Sequence, residues 1–256
     1  MSNLLELTDL SVRFGALLAN DAVSLSVAEG EIVGLIGPNG SGKSTLLRAA
    51  VGIYRPSNGR VRWEGSDITG WPIHRVARLG LVRTAQHQMV FPSVSVYEAV
   101  RMAAGCSGKF SRRDQASVHG AVEQCIERLG LTAVTNDTVS SLPSGHLRRL
   151  GIALALAAQP RLLLLDEPAA GLNDHEGMTL AESIRRIRDE GIAVCVVDHD
   201  MGFILPLCDR VVCLSAGRNF AEGSPDEVAR DPRVIEIYLG RRFKAVDGKG
   251  NEHDSP

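Results

Sequence analysis

Hydrophobic positions follow three patterns along the chain. Over the first thirty residues they alternate with polar ones, at Leu5, Leu7 and Leu10 and again at Val23, Leu25 and Val27. That spacing predicts antiparallel strands with one covered face. Short continuous runs come next, over residues 31–36, 161–166, 192–197 and 210–214. Runs of this length, rich in branched residues, predict strands buried on both faces. The third pattern is helical: between residues 95 and 130, Val118, Val122, Cys125, Ile126 and Leu129 recur at helix spacing with charges between them.

Local signals add detail. A Gly-rich turn precedes a predicted helix from Lys43 to about Val51. Pro56, Asn58 and Gly59 mark a turn, and residues 59–63 and 67–68 suit a hairpin about Glu64 and Gly65. A strand is predicted at Leu81 to Arg83. The segment Leu142-Pro143-Ser144 suits the opening of a helix that Pro160 stops after about Ala158, and another helix runs from about His175 to Asp189 before Gly191. Strands alternating with helices predict an α/β fold with a mainly parallel core sheet covered on both faces. The antiparallel start forms an N-terminal β-subdomain, and residues 88–157 form an inserted α-helical subdomain.

Composition narrows the function classes. The 256 residues are 44% hydrophobic and 23% charged, with a net charge of −2. No global basic field favours nucleic acid, so none is expected as a partner. The five cysteines form no CxxC pair, as expected of buried thiols in a reducing compartment. The first ten residues lack a basic segment followed by an apolar one, so no secretory leader is expected. No apolar run approaches the ~18 residues of a membrane span. The expectation is a soluble domain over residues 1–240, with any membrane role exercised through partners, and a polar frayed tail at 241–256.

Chemistry concentrates at strand ends. Gly37-Pro38-Asn39-Gly40-Ser41-Gly42-Lys43-Ser44 fits GxxxxGK[ST] and lies between a buried strand and a helix. Glycines let such a loop turn its N–H groups toward phosphate oxygens, and the helix N-terminus adds its dipole. Lys43 would reach the β- and γ-phosphates, and the Ser44 hydroxyl would ligate Mg2+. Asp166 and Glu167 follow four leucines at a strand's C-terminal end, where open α/β sheets bind ligands. Asp166 suits a Mg2+ carboxylate and Glu167 a general base for the attacking water. His199, after the strand 192–197, could meet the γ-phosphate or orient that water. Gln86, after the strand 81–83, offers a carbonyl oxygen to Mg2+. The stretch Ser141 to Leu150 opens a helix with small residues, a second phosphate-binding N-terminus.

The order of these elements resembles an ABC-transporter ATPase over roughly residues 4 to 240. The resemblance implies a P-loop NTPase that binds ATP and Mg2+. It implies that Phe14 stacks on adenine, that Gly37 to Thr45 is Walker A and that Gln86 is the Q-loop. Leu142 to His146, with Ser144 and Gly145, becomes the signature motif. Asp166 and Glu167 become Walker B and the catalytic glutamate, Ala170 to Asn173 the D-loop, and His199 the switch histidine. Arg13 to Ala19, Val82 to His87, Glu167 to Asn173, Asp198 to Met201 and Val234 to Gly240 look like the ATPase subunits of importers for branched-chain amino acids, whose relatives serve urea or short amides. The resemblance also implies a second ATPase subunit, membrane permease subunits, an extracytoplasmic solute-binding protein, and a place on the inner face of the membrane. The sequence departs from the family's pattern at the signature, usually close to Leu-Ser-Gly-Gly-Gln. Here Pro143 replaces the serine that would meet the γ-phosphate across a dimer, and proline has neither hydroxyl nor N–H. A related, non-identical partner subunit is therefore expected. Ala85 stands where this subgroup often has phenylalanine.

Overall fold

The computed structural model describes residues 3–84, 92–106 and 115–238. Two long strands, β1 (Asn3–Phe14) and β2 (Leu17–Ala28), pair antiparallel, and β4 (Asn58–Trp63) and β5 (Ser66–Asp67) extend them into a sheet ordered β2-β1-β4-β5. Leu7 and Leu10 are three apart yet both buried, because the register slips between them around Asp9, whose φ is 48°. One extra residue restores the face that strict alternation would lose. The β4–β5 turn is Glu64-Gly65, with φ of 47° and 76°, the positive pair a two-residue hairpin needs.

The second sheet runs β10-β9-β3-β8-β7-β6. Its members are β3 (Ile32–Ile36), β6 (Leu81–Arg83), β7 (Leu162–Asp166), β8 (Ala193–Val197), β9 (Arg210–Ser215) and β10 (Arg218–Gly223). The central pairings are parallel, and β10 closes one edge antiparallel. Helices α1 (Lys43–Ala50), α2 (Ile73–Leu79), α3 (Val96–Cys106), α4 (Gln115–Arg128), α5 (Ser144–Ala157), α6 (Asp174–Asp189), α7 (Met201–Leu207) and α8 (Pro225–Arg230) connect the strands. Residues 232–238 are also helical.

The apolar runs are continuous because each core strand feeds two cores. Val33, Leu35, Leu162 and Leu164 face the antiparallel sheet and Leu46 and Leu47 of α1. Ile32, Ile36, Leu163 and Leu165 face the helices, among them Val100, Leu150, Leu180 and Ile204. Each such side chain contributes ~1.5–3 kcal/mol by leaving water. Gly34 sits where a Cβ would come within 2.8 Å of Ile204 and 2.9 Å of Cys208 on and beside α7. Cys125, Cys195, Cys208 and Cys213 are buried free thiols, and desolvation pushes Cys195 up to about 12. Among the described residues no helix is long and apolar enough to cross a membrane.

Candidate functional site

The phosphate loop joins β3 to α1 and is clamped from both sides. The Asn20 side-chain amide donates to the Gly42 carbonyl at 3.1 Å, and Gly217 N–H, in the β9–β10 turn, donates to the Ser41 carbonyl at 3.2 Å. Gly40 and Gly42 have φ of 82° and 97°, a conformation that favours glycine. At Gly37 a Cβ would come within 2.2 Å of the Leu214 carbonyl oxygen. No side chain caps α1, so its first N–H groups are left for an anion.

Lys43 is buried, and its ammonium donates to the Gly37 carbonyl at 2.8 Å and the Pro38 carbonyl at 3.1 Å. Burial lowers its pKa, opposed by the charges of Glu167, Asp166 and Asp198. Ser44 donates its hydroxyl to Asp166 Oδ1 at 2.9 Å. This hydroxyl–carboxylate pair is an all-oxygen donor set that fits a hard cation such as Mg2+. Asn39 and Gly40 are exposed and Pro38 and Thr45 half-buried along the same loop and helix.

Asp166 is buried at the end of β7, and its second oxygen, Oδ2, pairs with Arg83 Nη1 at 3.1 Å. Arg83 belongs to β6, which pairs with β7. Desolvation lowers its pKa and Asp166 opposes the shift. Nothing in the sequence assigned this guanidinium a role: it falls within the Val82–His87 stretch that resembles importer ATPases, but a lone arginine on a three-residue strand carries no periodic signal. A further hint was its place at the end of that strand, three residues before Gln86. Gln86 itself, with Ala85, lies outside the described residues.

Glu167 follows with φ of 52°, a conformation uncommon for a non-glycine residue and frequent at working sites. Its N–H donates to the Val197 carbonyl at 2.8 Å. Asp198, buried after β8, accepts from Ala169 N–H at 3.2 Å, His199 N–H at 2.8 Å and Asp200 N–H at 3.1 Å. This carboxylate binds the Glu167 loop to the His199 loop. His199 keeps Nδ1 3.4 Å from Asp198 Oδ1 while its ring is largely exposed. The structure thus brings Lys43, Ser44, Asp166 and Glu167 into one cluster, with His199 on the adjoining loop.

Phe14, half-exposed at the end of β1, meets Tyr54 edge to face at 5.0 Å, and Arg48 of α1 donates to the Tyr54 hydroxyl at 3.2 Å. The exposed ring is thereby tied to the phosphate-loop helix. Elsewhere, Pro143 is the N-cap of α5, which no side chain caps. Ser144 is exposed, whereas Gly145 is buried, and a Cβ there would come within 2.7 Å of Glu176 Oε1 on α6. Asn173 spends its side chain on a capping box with Glu176, accepting from the Glu176 N–H at 3.0 Å.

Comparison with known proteins agrees with this geometry. The ABC transporter family model matches residues 20–170, and the model for the branched-chain amino acid ATP-binding cassette transporter matches residues 218–244. The chain is similar to the high-affinity branched-chain amino acid transport ATP-binding protein BraF of Pseudomonas aeruginosa, 36% identical over 93% of this chain and 98% of that one. It is 37% identical to LivG of Escherichia coli K12, described in the same words, over the same shares. The lipopolysaccharide export system ATP-binding protein LptB of Acidithiobacillus ferridurans is 36% identical over 95% of this chain and 100% of that one. Among solved structures, the ADP conformation of MJ1267, an ATP-binding cassette of an ABC transporter, superposes with a TM-score of 0.82 at 27% identity, covering 94% of this chain and 100% of that one.

Proposed function

We propose that this chain, which belongs to the ABC transporter ATP-binding family, energises the import of branched-chain amino acids or related small polar solutes. Its activity is ATP hydrolysis coupled to transport. The observation that carries the reading is the cluster of Lys43, Ser44 and Asp166 with Glu167 beside it. In this reading Lys43 leaves the Gly37 and Pro38 carbonyls for phosphoryl oxygens, and the N–H groups from Gly40 to Thr45 complete the cradle. Ser44 and Asp166 would hold Mg2+, with Gln86 as a further ligand. When bound, the ion neutralises charge that develops on the phosphoryl oxygens. Glu167 accepts a proton from the attacking water, His199 orients that water, and Phe14 offers its face to adenine.

A second ATPase subunit would present its own signature helix N-terminus and D-loop to this site, while Ser144, Gly145 and Asn173 of this chain serve the partner's site. Pro143 favours a partner that is related but not identical. The helices within 96–157 would carry the motion to permease subunits, placing the chain on the inner face of a membrane beside an extracytoplasmic solute-binding protein. The LptB relatives support a second reading, the ATPase of an exporter.

Reconstitution with permease subunits and binding protein separates the two. Import predicts ATP hydrolysis stimulated by leucine, isoleucine or valine together with the binding protein. Stimulation that ignores both would overturn it. In the same preparation Glu167→Gln should retain ATP and lose turnover.

A further inference from the structure

The last described helical segment, 232–238, is anchored by buried Val234 and brings Tyr238 against the start of the phosphate loop. Between them lies a cleft of about 170 Å3, open to solvent on one side and lined by Gly37, Pro38, Asn39, His199, Ile237 and Tyr238. The Tyr238 hydroxyl is buried and faces the Gly37 backbone, but makes no well-formed hydrogen bond among the described residues. Desolvation pushes the phenol up to about 12, so it remains a neutral donor at ordinary pH. A buried hydroxyl without a partner costs stability, and phenylalanine would fill the same space without that cost. The cleft has room for ordered waters, each taking about 30 Å3. On its wall stands His199, whose Nδ1 is turned to Asp198, leaving Nε2 for other partners. The same wall carries Gly37 and Pro38, whose carbonyls hold Lys43.

We propose that Tyr238 is a positioning residue for ATP hydrolysis: its hydroxyl holds His199, through water in this cleft, in register with the phosphate loop. The helix 232–238 thereby becomes part of the hydrolytic site. The proposal rests on the reading of His199 as the group that orients the attacking water.

Tyr238→Phe in the full chain tests it. In the assembled transporter kcat should fall about tenfold, with KM for ATP unchanged and Tm unchanged or raised. A tyrosine that only packs would leave kcat and KM both at the parental values in Tyr238→Phe, and that result overturns the proposal. A readout that needs no turnover is the His199 imidazole 15N signal of the chain with Mg-ATP, assigned by its loss in His199→Ala. It should move in Tyr238→Phe, and an unmoved signal overturns the proposal. If His199→Ala is inactive and Tyr238→Phe keeps the parental kcat, this proposal alone fails. If His199→Ala keeps the parental rate, both the proposal and the reading beneath it fail.

Discussion

The helices α1 and α5, to which the proposed function gives phosphate contacts, both begin without a side-chain cap and are built differently. At α1 the N-terminus is surrounded: the Asn20 amide and the β9–β10 turn clamp the loop, and Lys43, Ser44 and Asp166 stand within hydrogen-bond reach of one another or of the loop carbonyls. At α5 the N-terminus is bare, with exposed Pro143 and Ser144 ahead of a glycine pressed on Glu176. Both ends share the same backbone physics, since uncapped N–H groups favour anions. The α1 end adds the Lys43 charge, the Ser44–Asp166 oxygen pair and Glu167 from its own chain, whereas in the proposed function the α5 end meets such groups only across an interface. An uncapped helix N-terminus is therefore not by itself a catalytic site.

Substitutions break or sharpen this contrast. Lys43→Ala should have the largest effect, because a charge-assisted contact contributes ~3 kcal/mol. ATP affinity, followed by fluorescence of a labelled nucleotide, should fall about a hundredfold. Arg83→Ala removes the cation that faces the buried Asp166 carboxylate. Breaking such a pair costs ~3 kcal/mol, so urea unfolding of the nucleotide-free protein should show that loss, partly recovered with Mg-ATP. Pro143→Ser returns a hydroxyl and an N–H to the α5 end. A gain of ~2 kcal/mol should tighten ATP-dependent self-association about thirtyfold in sedimentation equilibrium. Gly145→Ala is the mildest: its Cβ displaces the flexible Glu176 side chain and loosens the α6 capping box. A stability loss of ~1 kcal/mol is expected in thermal unfolding.

The sequence made the α1 end readable and left parts of its surroundings hidden. The phosphate loop, the runs that became β3, β7 and β8, and helices α5 and α6 all stood in the pattern, because long periodic or continuous apolar segments dominate their local choices. Helix α2 escaped because it spans only Ile73–Leu79, and α7 because Pro206 interrupts Met201–Leu207. Strand β10 is an exposed edge without an apolar run. The stretch 95–130 reads as one helical region but resolves into α3 and α4, with residues 107–114 outside the described ones. The roles of Arg83 and Tyr238, although both fall in stretches that resemble importer ATPases, were hidden for another reason. Their positions depend on which strand lies beside β7 and where the helix 232–238 lands, and no local spacing encodes either.

The contrast between the two helix ends is tested most directly by sedimentation of Glu167→Gln with Mg-ATP at low protein concentration. The chain should bind ATP and stay a monomer, because Pro143 removes one hydroxyl and one N–H from the donors with which its α5 end would hold a second copy, and adding Pro143→Ser should make it dimerise. A stable homodimer formed with Pro143 in place would contradict the account.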